Sequence, residues 1–208
     1  FYAESGGQDA DAGVLQAKGF DLDVVDVQRP VPGLIVHRVV AGGDLVVGDE
    51  VAAQVDAQHR LGACQAHTAT HIVHAALREL LGSTATQAGS YNKPGYLRFD
   101  FSSAEGLSDQ LRAEIEERAN LAVRDNFTVT DQQLPLDEAK AMGAMAMFGE
   151  KYPPIVRMVE LDGRWSRELC GGTHVGSTSQ IGLIDLISEQ SIGSVSYTHL
   201  TLPTTPYV

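Results

Sequence analysis

The chain has little of what a disulfide-built, membrane-spanning or nucleic-acid-coating protein needs. Two cysteines in 208 residues give no disulfide framework, and a cysteine kept as a metal-binding thiolate suits a reducing, cytoplasmic compartment. No apolar run approaches membrane-spanning length. Phe1-Tyr2-Ala3-Glu4-Ser5 has neither the basic nor the apolar region of a secretory signal, and with no Met at its start the chain reads as part of a longer protein. Positive charge is scarce, with 15 Lys and Arg against 27 Asp and Glu and a net charge of −12. That argues against broad electrostatic binding to nucleic acid, which rests on many cationic contacts to phosphate, but leaves room for a pocket that takes one terminal nucleotide. Hydrophobic residues at 43% and charged residues at 20% are ordinary for a soluble globular protein long enough to bury a core.

Seven histidines are present, and their spacing carries the chemistry. His67-Thr68-Ala69-Thr70-His71 lies in a segment, Ala63 to Leu81, that reads as one helix ending at Gly82. On a helix the i,i+4 spacing stacks both imidazoles on one face, one turn apart. About a hundred residues later comes Cys170-Gly171-Gly172-Thr173-His174, where glycines let the backbone bend sharply enough to bring a thiolate and an imidazole to one point. Three imidazoles and a thiolate suit zinc. The expected ligands are His67, His71, Cys170 and His174. Cys64 and His74 share the helical stripe, but a third helical ligand would bind only with strain, so Cys64 reads as a small buried residue and His74 as a core residue or one behind the ligands. A zinc peptidase of the common helical kind carries Glu directly after the first His as general base. Here that position is Thr68, which leaves peptide hydrolysis without its base.

Residues 1–60, rich in Gly, Val and Asp, alternate with period two at Val51, Ala53, Val55 and Ala57 and are expected to form a small β-barrel. Residues 61–193 mix periodicities. Helices are expected at 63–81, from a Ser108 N-cap to Asp125, and at Asp137 to Met147, where Met142, Met145 and Met147 read as core filling. Strands are expected at 97–101, 127–132, 155–161 and 181–187. The irregular order points to an α+β fold with helices packed on a sheet. Residues 194–208 are rich in Thr and Pro, lack periodicity, and read as an atypical tail of foreign character.

Six ordered motifs turn these observations into a resemblance. Phe1-Tyr2-Ala3-Glu4-Ser5-Gly6-Gly7-Gln8, the His67–His71 helix, Thr86-Gln87-Ala88-Gly89-Ser90, Leu97-Arg98-Phe99-Asp100-Phe101, the 143–152 segment Gly-Ala-Met-Ala-Met-Phe-Gly-Glu-Lys-Tyr and Glu168-Leu169-Cys170-Gly171-Gly172-Thr173-His174 together resemble the editing region of alanyl-tRNA synthetases. The resemblance covers Phe1 to about Gly193. It implies a zinc-dependent deacylase that hydrolyses the ester of alanine-acceptor tRNA mischarged with serine or glycine. It also implies the tRNA acceptor end as partner, no membrane, and an aminoacylation core and C-terminal module elsewhere in the longer, ATP-binding protein. Position by position, the zinc ligands fall on His67, His71, Cys170 and His174, an editing-pocket glutamine on Gln87, and a glycine-rich substrate motif on Gly6, Gly7 and Gln8. Gln87, Thr68 and Asp100 are the candidate catalytic residues, with a structural role for Asp100 equally open. The rival readings are a non-catalytic zinc-stabilised tRNA-binding module, a free-standing trans-editing deacylase and a generic metal hydrolase.

Overall fold

In the computed structural model, residues 1–40, 42–103, 106–146, 151–191, 197–202 and 204–205 are described, those from 191 onward by their backbone alone. Strands β1 (Gly13–Ala17), β2 (Phe20–Val31), β3 (Leu34–Val40) and β4 (Ala52–Val55) form an antiparallel sheet in the order β3-β2-β1-β4. On β2 the buried positions run Leu22, Val24, Val27. The change of phase after Val24 falls where the register slips between Val24 and Asp26, because one extra residue turns every later side chain to the other face. β3 and β4 are the edges and do not pair with each other among the described residues, so the expected barrel is instead an open sheet. Alternation reports one buried face; it carries no information on whether the edges meet.

Helix α1 (Ala57–Leu81) follows directly. Its N-cap is Asp56, whose carboxylate accepts from the Gln58 and His59 N–H groups, and Gly82 ends it at φ +87°. The helix starts six residues before the expected Ala63. Asp56 continues the period-two alternation of the strand before it, and that pattern hides its strength as an N-cap. From Ala63 to Leu77 nearly every residue of α1 is buried, whichever way it faces, as in a helix enclosed on all sides.

The remaining elements enclose it. β5 (Gln87–Lys93) and β6 (Tyr96–Ser102) make a hairpin, and α2 (Asp109–Arg124) is capped by Ser108 as expected. β7 (Val129–Pro135), α3 (Leu136–Ala141), β8 (Ile155–Leu161) and β9 (Ser166–Leu169) follow, then a 3-10 turn (Thr178–Ile181), β10 (Leu183–Ile184), β11 (Ser188–Ser191), β12 (Tyr197–Leu202) and β13 (Thr204–Thr205). They build sheets ordered β11-β12-β6-β5 and β7-β8-β9, with a short β10-β13 pair. The core joins Ala66, Ala69, Ile72, Val73, Ala76 and Leu77 of α1 to Leu97, Phe99 and Phe101 of β6 and to Ile115, Ala119 and Ala122 of α2. The fold is thus α+β.

Further elements differ from expectation. α3 stops at Ala141, ahead of Gly143 at φ +86°, and of the stretch expected to continue it Met147 lies outside the described residues. The strand expected over 181–187 is reduced to two residues. Gly182 turns the chain at φ +86°, and the N–H groups of Ile184 and Leu186 bond to the Asn120 and Glu116 side chains of α2 in place of a strand. The stretch expected to be a foreign tail supplies β12, whose backbone lies between β11 and β6.

The expected division at residue 60 falls inside α1. Residues ahead of β1 also cross to the second unit: Asn92 N–H donates to Gly7 O and Asp9 N–H to Asn92 O. Asp11 accepts from the Tyr2 N–H and pairs with the Arg60 guanidinium of α1. Burial opposes its charge, but Arg60 and the Tyr2 N–H hold the Asp11 carboxyl below the usual carboxylate range. The sign follows: this stabilisation is complete above about pH 4, where an unfolded Asp is ionised, and is lost as pH falls through the lower folded value. With the Arg60 side chain 35% exposed, Asp11→Asn is expected to cost about 1–2 kcal/mol at pH 7. Urea denaturation checks this, and the gap between variant and parent should shrink as the pH falls below about 4.

Candidate metal centre and adjoining cavity

His67 and His71 stack on α1 with ring centroids 5.4 Å apart and planes 9° from parallel. The loop after β9 carries Cys170 and His174 onto that face. Cys170 Sγ lies 3.3 Å from His67 Nε2 and 3.4 Å from His174 Nε2, and one donor atom from each of the four residues falls within 4.8 Å of all the others. Gly172 makes this approach feasible, since a Cβ there would collide with the His67 ring and Gln8 Oε1.

Each imidazole is fixed from behind by a different group. His67 Nδ1–H donates to Gln8 Oε1 at 2.8 Å. His174 Nδ1–H donates to Thr68 Oγ1 at 3.2 Å, while the Thr68 hydroxyl itself donates to Cys64 O. His71 Nδ1 faces Glu168 Oε2 at 3.0 Å, and the other oxygen of that carboxylate meets His74 Nδ1, also at 3.0 Å. With His67 and His174 held through Nδ1 and His71 Nδ1 set against the Glu168 carboxylate, the Nε2 side of each ring faces the centre. His71 Nε2 is buried there without a hydrogen-bond partner, the signature of a donor atom meant for an ion. Burial opposes the Cys170 thiolate, yet His67 and His174 hold the thiol well below its ordinary range, so the ligand form predominates. Burial also opposes the Glu168 charge, and His71 and His74 overcome it. The donor set and its spacing fit a tetrahedral nitrogen and sulfur ion such as zinc.

His67, His71 and Cys170 of the cluster line a cavity of about 860 Å³, within the range of small-ligand sites. Thr70, Thr86, Gln87 and Ser90 supply hydroxyl and carboxamide groups to its wall, and Met145 and Leu169 supply apolar surface. Gln87 Nε2 donates to Ser90 Oγ at 3.1 Å.

The structure sorts the candidate residues. His67, His71, Cys170 and His174 come together; Cys64 lies in the core and His74 behind His71 on Glu168. Gln87 and Gly6 line the cavity, whereas Gly7, Gln8, Thr68 and Asp100 are not on its wall. Gly7, at φ +79° and against Ser90, turns the chain so that Gln8 enters the protein, where it also accepts from Thr173 N–H and donates to Thr173 Oγ1. Thr68 is enclosed and holds His174, and Asp100 on β6 pairs with Arg98. Met145, expected as core filling, faces the cavity. Of the Phe148–Tyr152 segment, Lys151 and Tyr152 line the cavity and residues 148–150 lie outside the described residues. Sequence reasoning missed the role of Glu168, whose one signal was an acid two residues ahead of the loop cysteine.

The chain is similar to known proteins along most of its length. Residues 156–196 match the family described as threonyl and alanyl tRNA synthetase second additional domain, and residues 1–59 match class II (A) tRNA synthetases. The chain is 71% identical over 93% of its length to an alanine–tRNA ligase of Cutibacterium acnes, 59% over 94% to one of Leifsonia xyli, and 58% over 93% to one of Renibacterium salmoninarum. The chain belongs to the alanyl-tRNA synthetase family. It spans 22% of the length of these relatives. No helix among the described residues is long and apolar enough to cross a membrane.

The geometry sets an order of effects on metal affinity. Cys170→Ala is expected to lose most metal binding and Cys64→Ala none, while Gln8→Ala, which frees His67 to rotate, should weaken it by about 10- to 100-fold. Competition with a chromogenic chelator measures all three.

Proposed function

We propose that the chain is an editing module that hydrolyses the ester linking serine or glycine to the acceptor end of alanine tRNA, with zinc held by His67, His71, Cys170 and His174. The observation that carries this reading is the cavity, which places small polar side chains directly beside a four-donor cluster. The family membership supports it, as does the match of residues 156–196 to a domain shared by threonyl and alanyl enzymes.

The chemistry asked of the site is modest. An aminoacyl ester is an activated bond, so positioning of the carbonyl carbon and of a water accounts for most of the acceleration needed. When bound, the ion would supply a fixed positive charge at the end of the cavity, as Lewis acid or as anchor for the substrate's amino or hydroxyl group. Ser90 and Gln87 on the cavity wall offer hydrogen-bonding groups to a seryl side chain, and Glu168 backs His71. No carboxylate follows His67, so the reading includes no general base of the peptidase kind.

The need for such a site follows from binding energetics. A site that accepts alanine rejects glycine, one methyl smaller, by only about 1–3 kcal/mol, and discriminates weakly against an added hydroxyl. A second site with polar recognition supplies the missing selectivity. The aminoacylation core and a C-terminal module would be further domains of the longer protein, where the relatives extend beyond the matched region. Exposed Leu34, Ile35, Val36 and Val40 on β3 offer an apolar edge to them.

The purified chain is expected to release serine and glycine from mischarged alanine tRNA, to spare alanyl-tRNA, and to lose activity on chelation with recovery on added zinc. Radiolabelled deacylation assays test this. Metal-bound protein that hydrolyses none of the three would leave a binding module, and equal hydrolysis of all three would remove the editing assignment.

A further inference from the structure

The cations of this acidic chain are distributed unevenly. Of 15 Lys and Arg, eight arginines are ion-paired with carboxylates. Seven carry no ion pair among the described residues, and three of these, Arg29 of β2, Arg78 of α1 and Lys151, line the cavity that adjoins the metal-ligand cluster. Among the described residues Glu168 is the only carboxylate on that wall and the Cys170 thiolate its other anion; the Glu168 charge is already engaged by His71 and His74. The cavity therefore holds a local positive excess inside a protein of net charge −12. Clefts with low-dielectric walls focus such fields, so the local sign governs what enters.

We propose that Arg29, Arg78 and Lys151 form a phosphate-binding rim that takes the sugar-phosphate backbone of the last nucleotides of the substrate's 3′ end. The inference rests on the deacylase reading for the identity of the ligand. An aminoacyl ester sits on the terminal ribose, so whichever part of the substrate reaches the cluster brings a phosphodiester behind it at the length of one nucleotide. Three cations without carboxylate partners are what a single strand needs there, since each neutralised phosphate releases a counterion. Tyr2 and Tyr152, also on the wall, add aromatic surface of the kind on which unpaired bases stack. The rim reconciles the net charge with a nucleic-acid substrate: the acidic surface excludes duplex at large, and the cavity accepts one end.

The test uses the full chain with zinc and the trinucleotide cytidyl-cytidyl-adenosine as probe, titrated by fluorescence anisotropy at several salt concentrations. Arg29→Gln and Arg78→Gln are each expected to weaken binding at low salt by about tenfold and to make the plot of log affinity against log salt shallower by about 0.7 for each phosphate no longer neutralised. Arg164→Gln, at an exposed arginine away from the cavity, should change neither. Arg29→Lys should restore most of the affinity, since the charge and not the fork geometry is required. Arg78 also donates to Ser83 O at the end of α1, so Arg29→Gln, on a strand, serves as the variant that leaves the fold intact. On mischarged seryl-tRNA the two Gln variants should raise KM with kcat within about twofold of the parent. Parental affinity and salt slope in both Gln variants, or a loss in Arg164→Gln equal to theirs, would overturn the rim. If the trinucleotide binds through the arginines but no mischarged ester is cleaved, the rim stands and the deacylase reading fails.

Discussion

Everything else in this structure depends on the way three imidazoles, those of His67 and His71 buried and that of His174 half-buried, are backed on their Nδ1 sides. A histidine inside an apolar helix is costly unless both nitrogens have partners. Here Gln8 takes His67, Glu168 takes His71, and Thr68 takes His174. One oxygen behind each ring sets its plane, so three Nε2 atoms and the Cys170 sulfur face a common point. The acceptors come from the N-terminal segment, from β9 and from α1 itself. The centre is thus a knot between regions far apart in sequence, and glycines at 7 and 172 allow the backbones to approach closely enough to tie it.

The distance between those regions explains what the sequence could and could not reveal. The two i,i+4 pairs are legible because helical periodicity and glycine content are local properties, and four donors in two such pairs point to one chemistry. The body of the first helix over 63–81, the helix at 109–124 and the strands around 97–101 and 155–161 are legible for the same reason. Resemblance puts Gln8 in the substrate site, because nothing around residue 8 announces an imidazole 59 residues away. The position of Thr68 between the ligands suggests catalysis, yet its hydroxyl points at its own helix and at the loop. The barrel fails for a related reason: closure is a property of two strand edges, and alternation along each strand is silent about it. Glu168 is one more acidic residue near a cysteine until the fold sets two histidines against it.

The N-terminal segment shows why a boundary at residue 60 does not describe the mechanics. Its sheet has a small core of its own, built on Ala3, Ala10, Val24 and Val27. Yet the residues ahead of β1 bond to Asn92, to the loop after β9 and to the start of α1. A displacement of that segment would remove Gln8 from His67 and Gly6 from the cavity wall together. The cavity wall and the ligand cluster therefore share one structural support.

That shared support decides how metal and fold are related. In a small zinc module the ligands are loose until the ion gathers them, and the binding energy is folding energy. In this chain two donors sit on a helix whose surroundings are a packed core, and the side chains behind the rings, Gln8, Glu168 and Thr68, belong to the fold itself. Of the ring nitrogens facing the centre, His71 Nε2 alone is left without a hydrogen-bond partner among the described residues. Ligand side chains supported in this way by a packed core are positioned by the fold, which is what a site for an ion requires. The same rigidity fixes the cavity end against which a substrate carbonyl would be placed, where a shift of about 1 Å can cost about 100-fold in rate. An enclosed helix is an unusual place for the buried polar side chains of His67, Thr68, Thr70, His71 and His74, and its enclosure is what makes it the element best able to hold them.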